Sequence, residues 1–97
     1  MRVISYGIIR DFIREYPDSR VAMSSWYRKL SRAKPSGIHD LKRKFPGVDY
    51  VGNKRFVFNV KGNKYRAVVI ILFGPQKAYI RFVGTHAMYN RIECSKI

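Results

Sequence analysis

The 97 residues are enough for one domain, residues 1–97, with a modest core. Lysine and arginine number 20 and the acids only 6, and the resulting net charge of +14 favours a polyanionic partner. The longest apolar run, Ala67–Phe73, is far shorter than the about 20 residues of a membrane-spanning helix, and the charges of Arg10–Glu15 interrupt any signal-peptide pattern. One cysteine, Cys94, excludes an internal disulfide and fits the cytoplasm, and no metal-ligand spacing is present.

The chain is predicted to begin with a strand and a helix. Met1–Tyr6 has the composition of a short strand, and the apolar residues of segment 8–16 recur at helical spacing. Pro17 ends this helix, and Asp18 or Ser19 is expected to cap the next one.

Two further helices are predicted before the chain changes character. Segment 20–32 carries an apolar stripe from Ala22 to Leu30. After the break at 34–37, the spacing of Ile38, Leu41 and Phe45 predicts a short third helix that ends at Pro46-Gly47.

From residue 48 the pattern is typical of strands. Segments 54–60, 64–73 and 77–83 are rich in Val, Ile, Phe and Tyr, and Gly62-Asn63 and Gly74-Pro75-Gln76 provide the two turns. Gly84-Thr85 is expected to end the third strand, and segment 86–92 to form a last helical turn or two. The order predicts an α+β domain in which helices cover one face of an antiparallel meander.

The strand register assigns side chains to two faces if both hairpin loops have an even number of residues. A bulge in either hairpin would change this assignment. The expected core face comprises Phe56, Phe58, Tyr65, Val69, Ile71, Phe73, Ala78, Ile80 and Phe82. The expected open face comprises Arg55, Asn59, Arg66, Lys77, Tyr79 and Arg81 around Val57, Val68 and Ile70.

Cations and aromatic rings on an open sheet face suit single-stranded RNA, because cations pair with phosphates and planar groups stack on bases. A solvated face with scattered charge is the alternative. His86 and Tyr89 are three residues apart and share one side of a helical turn. Together with Arg66 and Arg81 they supply the groups for RNA self-cleavage, namely a proton acceptor, a proton donor and cations. A purely structural histidine and tyrosine remain possible.

The motifs Phe56–Val60, Lys61–Arg66 and Tyr79–His86, followed by Tyr89, closely resemble the HigB family of type II toxins within the RelE/ParE-like group. The resemblance spans nearly the whole chain and implies a RelE-like fold. It also implies metal-independent cleavage of mRNA without a cofactor, often on the ribosome, and a HigA-type helix-turn-helix antitoxin.

By motif position the resemblance points to Arg66, Arg81, His86 and Tyr89 as catalytic residues. RNA-binding residues are expected nearby, at Lys54, Arg55, Asn59, Lys77 and Tyr79. The family commonly has acids on both sides of the tyrosine, whereas this chain has Met88 and Asn90.

Two other functions remain open from the sequence. A basic RNA-binding module without catalysis would leave transcripts whole, and a ParE-like inhibitor of a topoisomerase would damage DNA replication while leaving mRNA intact. The fold alone does not distinguish them, whereas the His86–Tyr89 motif and the arginine pair favour the nuclease.

Overall fold

The computed structural model describes all residues, Met1–Ile97, and has the predicted α+β architecture. No helix is long and apolar enough to cross a membrane. The elements in chain order are β1 (Arg2–Ile4), α1 (Tyr6–Glu15), a 3-10 turn (Pro17–Ser19), α2 (Arg20–Arg32), α3 (Ile38–Lys44), β2 (Asp49–Tyr50), β3 (Arg55–Val60), β4 (Tyr65–Leu72), β5 (Lys77–Thr85) and α4 (His86–Tyr89).

The five strands form one sheet in the order β1-β5-β4-β3-β2. The predicted antiparallel meander is confirmed for β3, β4 and β5. Two short strands extend it at the edges: β1 lies parallel to β5, and the unpredicted β2 lies antiparallel to β3. The sheet is therefore mixed. The helices carry the chain from β1 at one edge to β2 at the other, and the meander then returns it to lie beside β1.

Helices α1, α2 and α3 bury their apolar stripes on one sheet face. Trp26 of α2 and Phe45 after α3 both meet the ring of Phe58 edge-on, at centroid distances of 5.3 and 5.1 Å. Such aromatic pairs add to the stabilisation from burial itself. The helical side of the core comprises Ile9, Phe12, Met23, Trp26, Leu30, Leu41 and Phe45, and the sheet side comprises Phe56, Phe58, Val60, Tyr65, Ala67, Val69, Ile71, Ala78, Ile80 and Val83.

A β-bulge in β5 overturns part of the predicted register. Both hairpin loops have four residues, 61–64 and 73–76, so the even-loop premise holds. The pairing then shifts, because Ile80 lies opposite Val69 whereas Phe82 lies opposite Val68. Arg81 is the extra residue with no partner. The prediction that Phe82 faces the core is therefore wrong: it lies on the open face and only Val83 beyond it returns to the core.

The end of β5 also differs from the prediction. The strand continues through Gly84-Thr85 to the start of α4 instead of ending before them. A Cβ placed on Gly84 would come within 2.5 Å of Cζ of Phe82, so this ring occupies the space that a larger residue would need. Glycine therefore lets the strand extend beneath the displaced Phe82 ring.

The predicted cap of α2 is also wrong, because neither Asp18 nor Ser19 caps the helix with its side chain. The Ser19 hydroxyl donates to the Tyr16 carbonyl oxygen at 2.6 Å. The Asp18 carboxylate instead joins the helical layer to the first hairpin: it accepts from Lys64 Nζ at 2.6 Å and from the Tyr65 hydroxyl at 2.8 Å. These hydrogen bonds, that of Lys64 above all, hold the pKa of Asp18 well below its usual range.

This lowered pKa predicts a specific acid sensitivity. A carboxyl group whose pKa is lower in the folded state stabilises the fold above its unfolded pKa of about 3.9 and loses that contribution as the pH falls through the folded value. The melting temperature should therefore drop as the pH falls below about 4, and Asp18→Asn should flatten that drop while lowering the melting temperature at neutral pH. Asp11→Asn is the matched control, since exposed Asp11 pairs only with its neighbour Arg10, at 3.6 Å. Equal slopes for wild type and Asp18→Asn would contradict this role of Asp18.

Candidate active site

The last strand and the last helix place the histidine of the site. The Thr85 hydroxyl oxygen accepts from the Met88 backbone N–H at 3.2 Å and so caps α4. His86 therefore stands at the first position of the helix, directly after the strand. Arg66 of β4 lies opposite Gly84, which brings its side chain beside this junction.

Arg66 and His86 are in direct contact. The distance between Arg66 Nη2 and His86 Nε2 is 2.9 Å. A guanidinium can only donate hydrogen bonds, so His86 Nε2 accepts in this contact, which assigns the imidazole the tautomer with its proton on Nδ1. The lone pair of His86 Nε2 therefore faces Arg66.

Asn90 lies one helical turn beyond His86 and contacts the ring nitrogen that does not face Arg66. The amide nitrogen of Asn90 is 3.3 Å from His86 Nδ1. Rotating this amide by half a turn puts its oxygen in the same place, where it accepts the Nδ1 proton that the Arg66 contact requires. Asn90 therefore fits the role of orienting the imidazole, which carboxylates and carbonyls commonly play in proteins.

Tyr89 forms the third wall of the cluster. The Arg66 guanidinium carbon lies 5.7 Å from the centre of the Tyr89 ring, and the Tyr89 hydroxyl is 3.5 Å from the Cys94 sulfur. Burial raises the pKa of Tyr89 to about 12, and the hydrogen bond with Cys94 adds to this. Tyr89 is therefore protonated at neutral pH and can donate a proton or a hydrogen bond but cannot act as a base.

The structure thus brings together three of the four residues predicted to be catalytic. The fourth, Arg81, is exposed on the bulge and makes no hydrogen bond or ion pair with another side chain. Its guanidinium is available to a ligand, but no hydrogen bond links it to Arg66 or His86.

The predicted RNA-binding residues are spread along the sheet. Asn59 lies opposite Arg66, in the same row as the cluster. Arg55 and Tyr79 both lie opposite Ile70, which is four residues or about 13 Å farther along β4. Lys77 lies opposite Leu72, two residues farther along β4 than Ile70. Lys54 is outside the sheet, in the turn before β3, where it borders a cavity of about 370 Å³.

A C-terminal tail, residues 93–97, crosses the open face. It lies between the end of the sheet with Asn59 and Arg66 and the end with Arg55 and Tyr79. Asn53 Nδ2 donates to the Ser95 carbonyl oxygen at 3.1 Å, and Arg55 donates to the Ile97 carbonyl oxygen from Nε and Nη2 at 3.1 and 2.7 Å. The contact of Cys94 with Tyr89 was not predicted from the sequence. No pattern in the sequence marks this contact, since it depends on the chain reversing after α4.

No group of three or more His, Cys, Asp or Glu side chains is placed to hold a metal ion. The cluster consists instead of an imidazole, a guanidinium, a phenol and an amide. These groups can accept a proton, donate one and neutralise a phosphate.

Comparison with known proteins decides the family. The protein-family model HigB_toxin, described as a RelE-like toxic component of a toxin–antitoxin system, matches residues 19–92. The chain belongs to the HigB toxin family. All four residues of the cluster, including Asn90, lie within the stretch that matches the HigB model, and Cys94 lies just beyond it.

Individual HigB relatives match nearly the whole chain. The "mRNA interferase toxin HigB" of Escherichia coli strain K12 is 32% identical over 93 residues, which cover 93% of this chain and 88% of the relative. The "mRNA interferase HigB" of Shigella flexneri has the same identity and coverage. The "mRNA interferase HigB" of E. coli O6:H1 strain CFT073 is 28% identical over 95% of this chain and 91% of its own length.

Proposed function

We propose that this HigB-family chain is an endoribonuclease that cuts mRNA and needs no metal ion for the chemical step. The observation that carries the proposal is the 2.9 Å contact of Arg66 Nη2 with His86 Nε2, beside the ring of Tyr89. The names of the relatives, mRNA interferases, agree with this activity.

The groups of the cluster supply the proton transfers and the charge neutralisation that a transesterification needs. His86 Nε2 takes the proton of the ribose 2′-OH, whose oxygen attacks the adjacent phosphorus. Arg66 turns from His86 to the phosphate and neutralises the charge that develops on its non-bridging oxygens. As the bond from phosphorus to the 5′-oxygen breaks, the Tyr89 hydroxyl protonates the departing oxygen. The products are a 2′,3′-cyclic phosphate and a 5′-hydroxyl, and solvent restores the protons on His86 and Tyr89.

The partners follow from charge and family. With a net charge of +14, the chain gains fast, electrostatically steered association with an acidic or RNA-rich surface. We propose that it meets its mRNA in the cytoplasm, on the ribosome, and that a HigA-type helix-turn-helix antitoxin neutralises it by covering the open face around Arg66 and Arg81.

Cleavage should persist in excess EDTA and leave 2′,3′-cyclic phosphate ends. The protein groups of the cluster supply proton transfer and charge neutralisation, so chelation removes nothing that the step uses. Purified protein, RNA and translating ribosomes, with mapping of the 3′ ends, test this directly. Activity that vanishes with EDTA and returns with added metal would overturn the metal-free step.

The same RNA assay, run beside a topoisomerase assay, distinguishes the other functions. Bound but uncut RNA, with or without ribosomes, indicates an RNA-binding module without catalysis. Intact RNA together with inhibition of a topoisomerase indicates a ParE-like activity. Both outcomes would refute the nuclease proposal.

A further inference from the structure

A basic groove runs along the helical layer, away from the residues that the nuclease proposal uses. Two adjoining cavities of about 550 and 280 Å³ form it, and they share Ser25, Lys29 and Phe45 in their walls. The first lies between α2 and the end of α3. The second continues past Gly47 to the edge of the sheet at Asn59.

The groove concentrates positive charge that the protein leaves largely unpaired. Arg28, Lys29, Arg32 and Lys44 line the first cavity, and no acid lines either cavity. The Asp40 carboxylate is 3.9 Å from Lys44 Nζ and already binds Arg43. Like charges gathered in a concave surface repel one another and attract an anionic ligand.

A buried donor at the groove adds an independent signal. Trp26 is 7% exposed and lines the second cavity, and its indole N–H is buried without any acceptor in the chain. A buried donor without a partner costs free energy, and a ligand oxygen that reached this N–H would recover it.

The groove leads to the candidate active site. Asn59 closes its far end, and Asn59 pairs across the sheet with Arg66, which contacts His86. An extended anionic chain held at Arg66 can thus continue over the sheet edge at Asn59 and Gly47 towards Lys29 and Arg32.

We propose that this groove binds the sugar–phosphate backbone of the RNA strand next to the bond that is cut. The inference rests on the proposed nuclease function and extends it from the cleaved nucleotide to its neighbours. A repeating phosphate suits a row of cations. An acidic peptide would need apolar anchors beside the cations. The cations gather in the first cavity, where only Ala33 and Phe45 are apolar and Lys29 Nζ already lies 4.5 Å from the Phe45 ring centre; the apolar residues of the second cavity lie beyond them.

Binding of uncleavable RNA tests the groove. The probes are 2′-O-methyl RNAs of about four and about twelve nucleotides, spanning the site sizes of single-strand binders. Wild type should bind the longer RNA more tightly. Arg28→Ala/Arg32→Ala should abolish most of that gain, and its log–log salt slope should fall by about 0.7 for each phosphate that the variant no longer binds. The shorter RNA should bind both proteins alike.

Arg14→Ala/Arg20→Ala is the matched control, because it removes the same charge from exposed positions outside both cavities. It should keep the gain and the slope. A wild type that gains nothing from length would overturn the proposal. So would a groove variant that keeps the gain, or one that loses as much affinity for the shorter RNA as for the longer one. Because the probes cannot be cut, a protein that passes this test yet leaves unmodified RNA whole refutes the nuclease and not the groove.

Discussion

His86→Ala should slow RNA cleavage by about 10²–10⁴-fold while leaving RNA affinity largely intact, because general acid–base catalysis contributes on that scale. His86 is exposed, and its Nε2 is the one proton acceptor that faces Arg66. Its loss removes the proposed acceptor of the 2′-OH proton and leaves the cations proposed to bind phosphate in place. Single-turnover cleavage, together with binding of an uncleavable RNA, separates the two effects.

Tyr89→Phe is the comparison for this substitution. It removes the phenol that we propose to protonate the leaving oxygen but keeps the ring beneath Arg66. If Tyr89→Phe costs more rate than His86→Ala, the phenol is the more important group and His86 is structural. Circular dichroism must confirm the fold of each variant, because His86 begins α4 and its backbone accepts from Asn90.

The sequence predicted the helices and the central strands well, because their apolar periodicities coincide with the faces that are buried. The stripe from Ala22 to Leu30 and the spacing of Ile38, Leu41 and Phe45 correspond to α2 and α3. Strand β2 escaped prediction because Asp49-Tyr50 is too short to show a period and is defined only by its pairing with β3.

The face of Phe82 could not be read from the sequence. Alternation assigns it to the core, and one inserted residue, Arg81, reverses that assignment for the rest of the face. The compensating signal is Gly84, whose missing side chain makes room for the displaced ring, but a glycine near the end of a strand equally indicates a turn.

Of the candidate site, the sequence could predict the contacts within one helix but not those across the tail. The spacing of three residues from His86 to Tyr89, and of four from His86 to Asn90, predicts that they share a side. The seating of Cys94 against Tyr89, and of Ile97 against Arg55, depends on a chain reversal that no local pattern encodes.

Arg66→Ala should be the most damaging arginine substitution, with a loss of about 10²–10³-fold in rate from the missing charge stabilisation alone. Arg66 contacts His86 and lies against Tyr89, so that its removal also releases the two proton-transfer groups from their common partner. Arg81→Ala should cost affinity and less rate, because Arg81 stands on the bulge with no hydrogen bond to the cluster. The measurement is the cleavage rate at saturating RNA alongside the affinity for uncleavable RNA.

Lysine substitutions distinguish the two roles. A guanidinium can hold two phosphate oxygens at once, whereas an ammonium is a point charge that cannot reproduce this geometry. Arg81→Lys should therefore restore most of the affinity that Arg81→Ala removes, since a charge on an exposed bulge needs no fixed direction. Arg66→Lys should regain affinity but little rate, because the transition state needs both donors in place beside His86.

Full activity of Arg66→Lys would show that Arg66 acts only as a positive charge. A larger rate loss for Arg81→Ala than for Arg66→Ala would move the phosphate-neutralising role to the bulge, where RNA binding would have to bring Arg81 to the reacting phosphate.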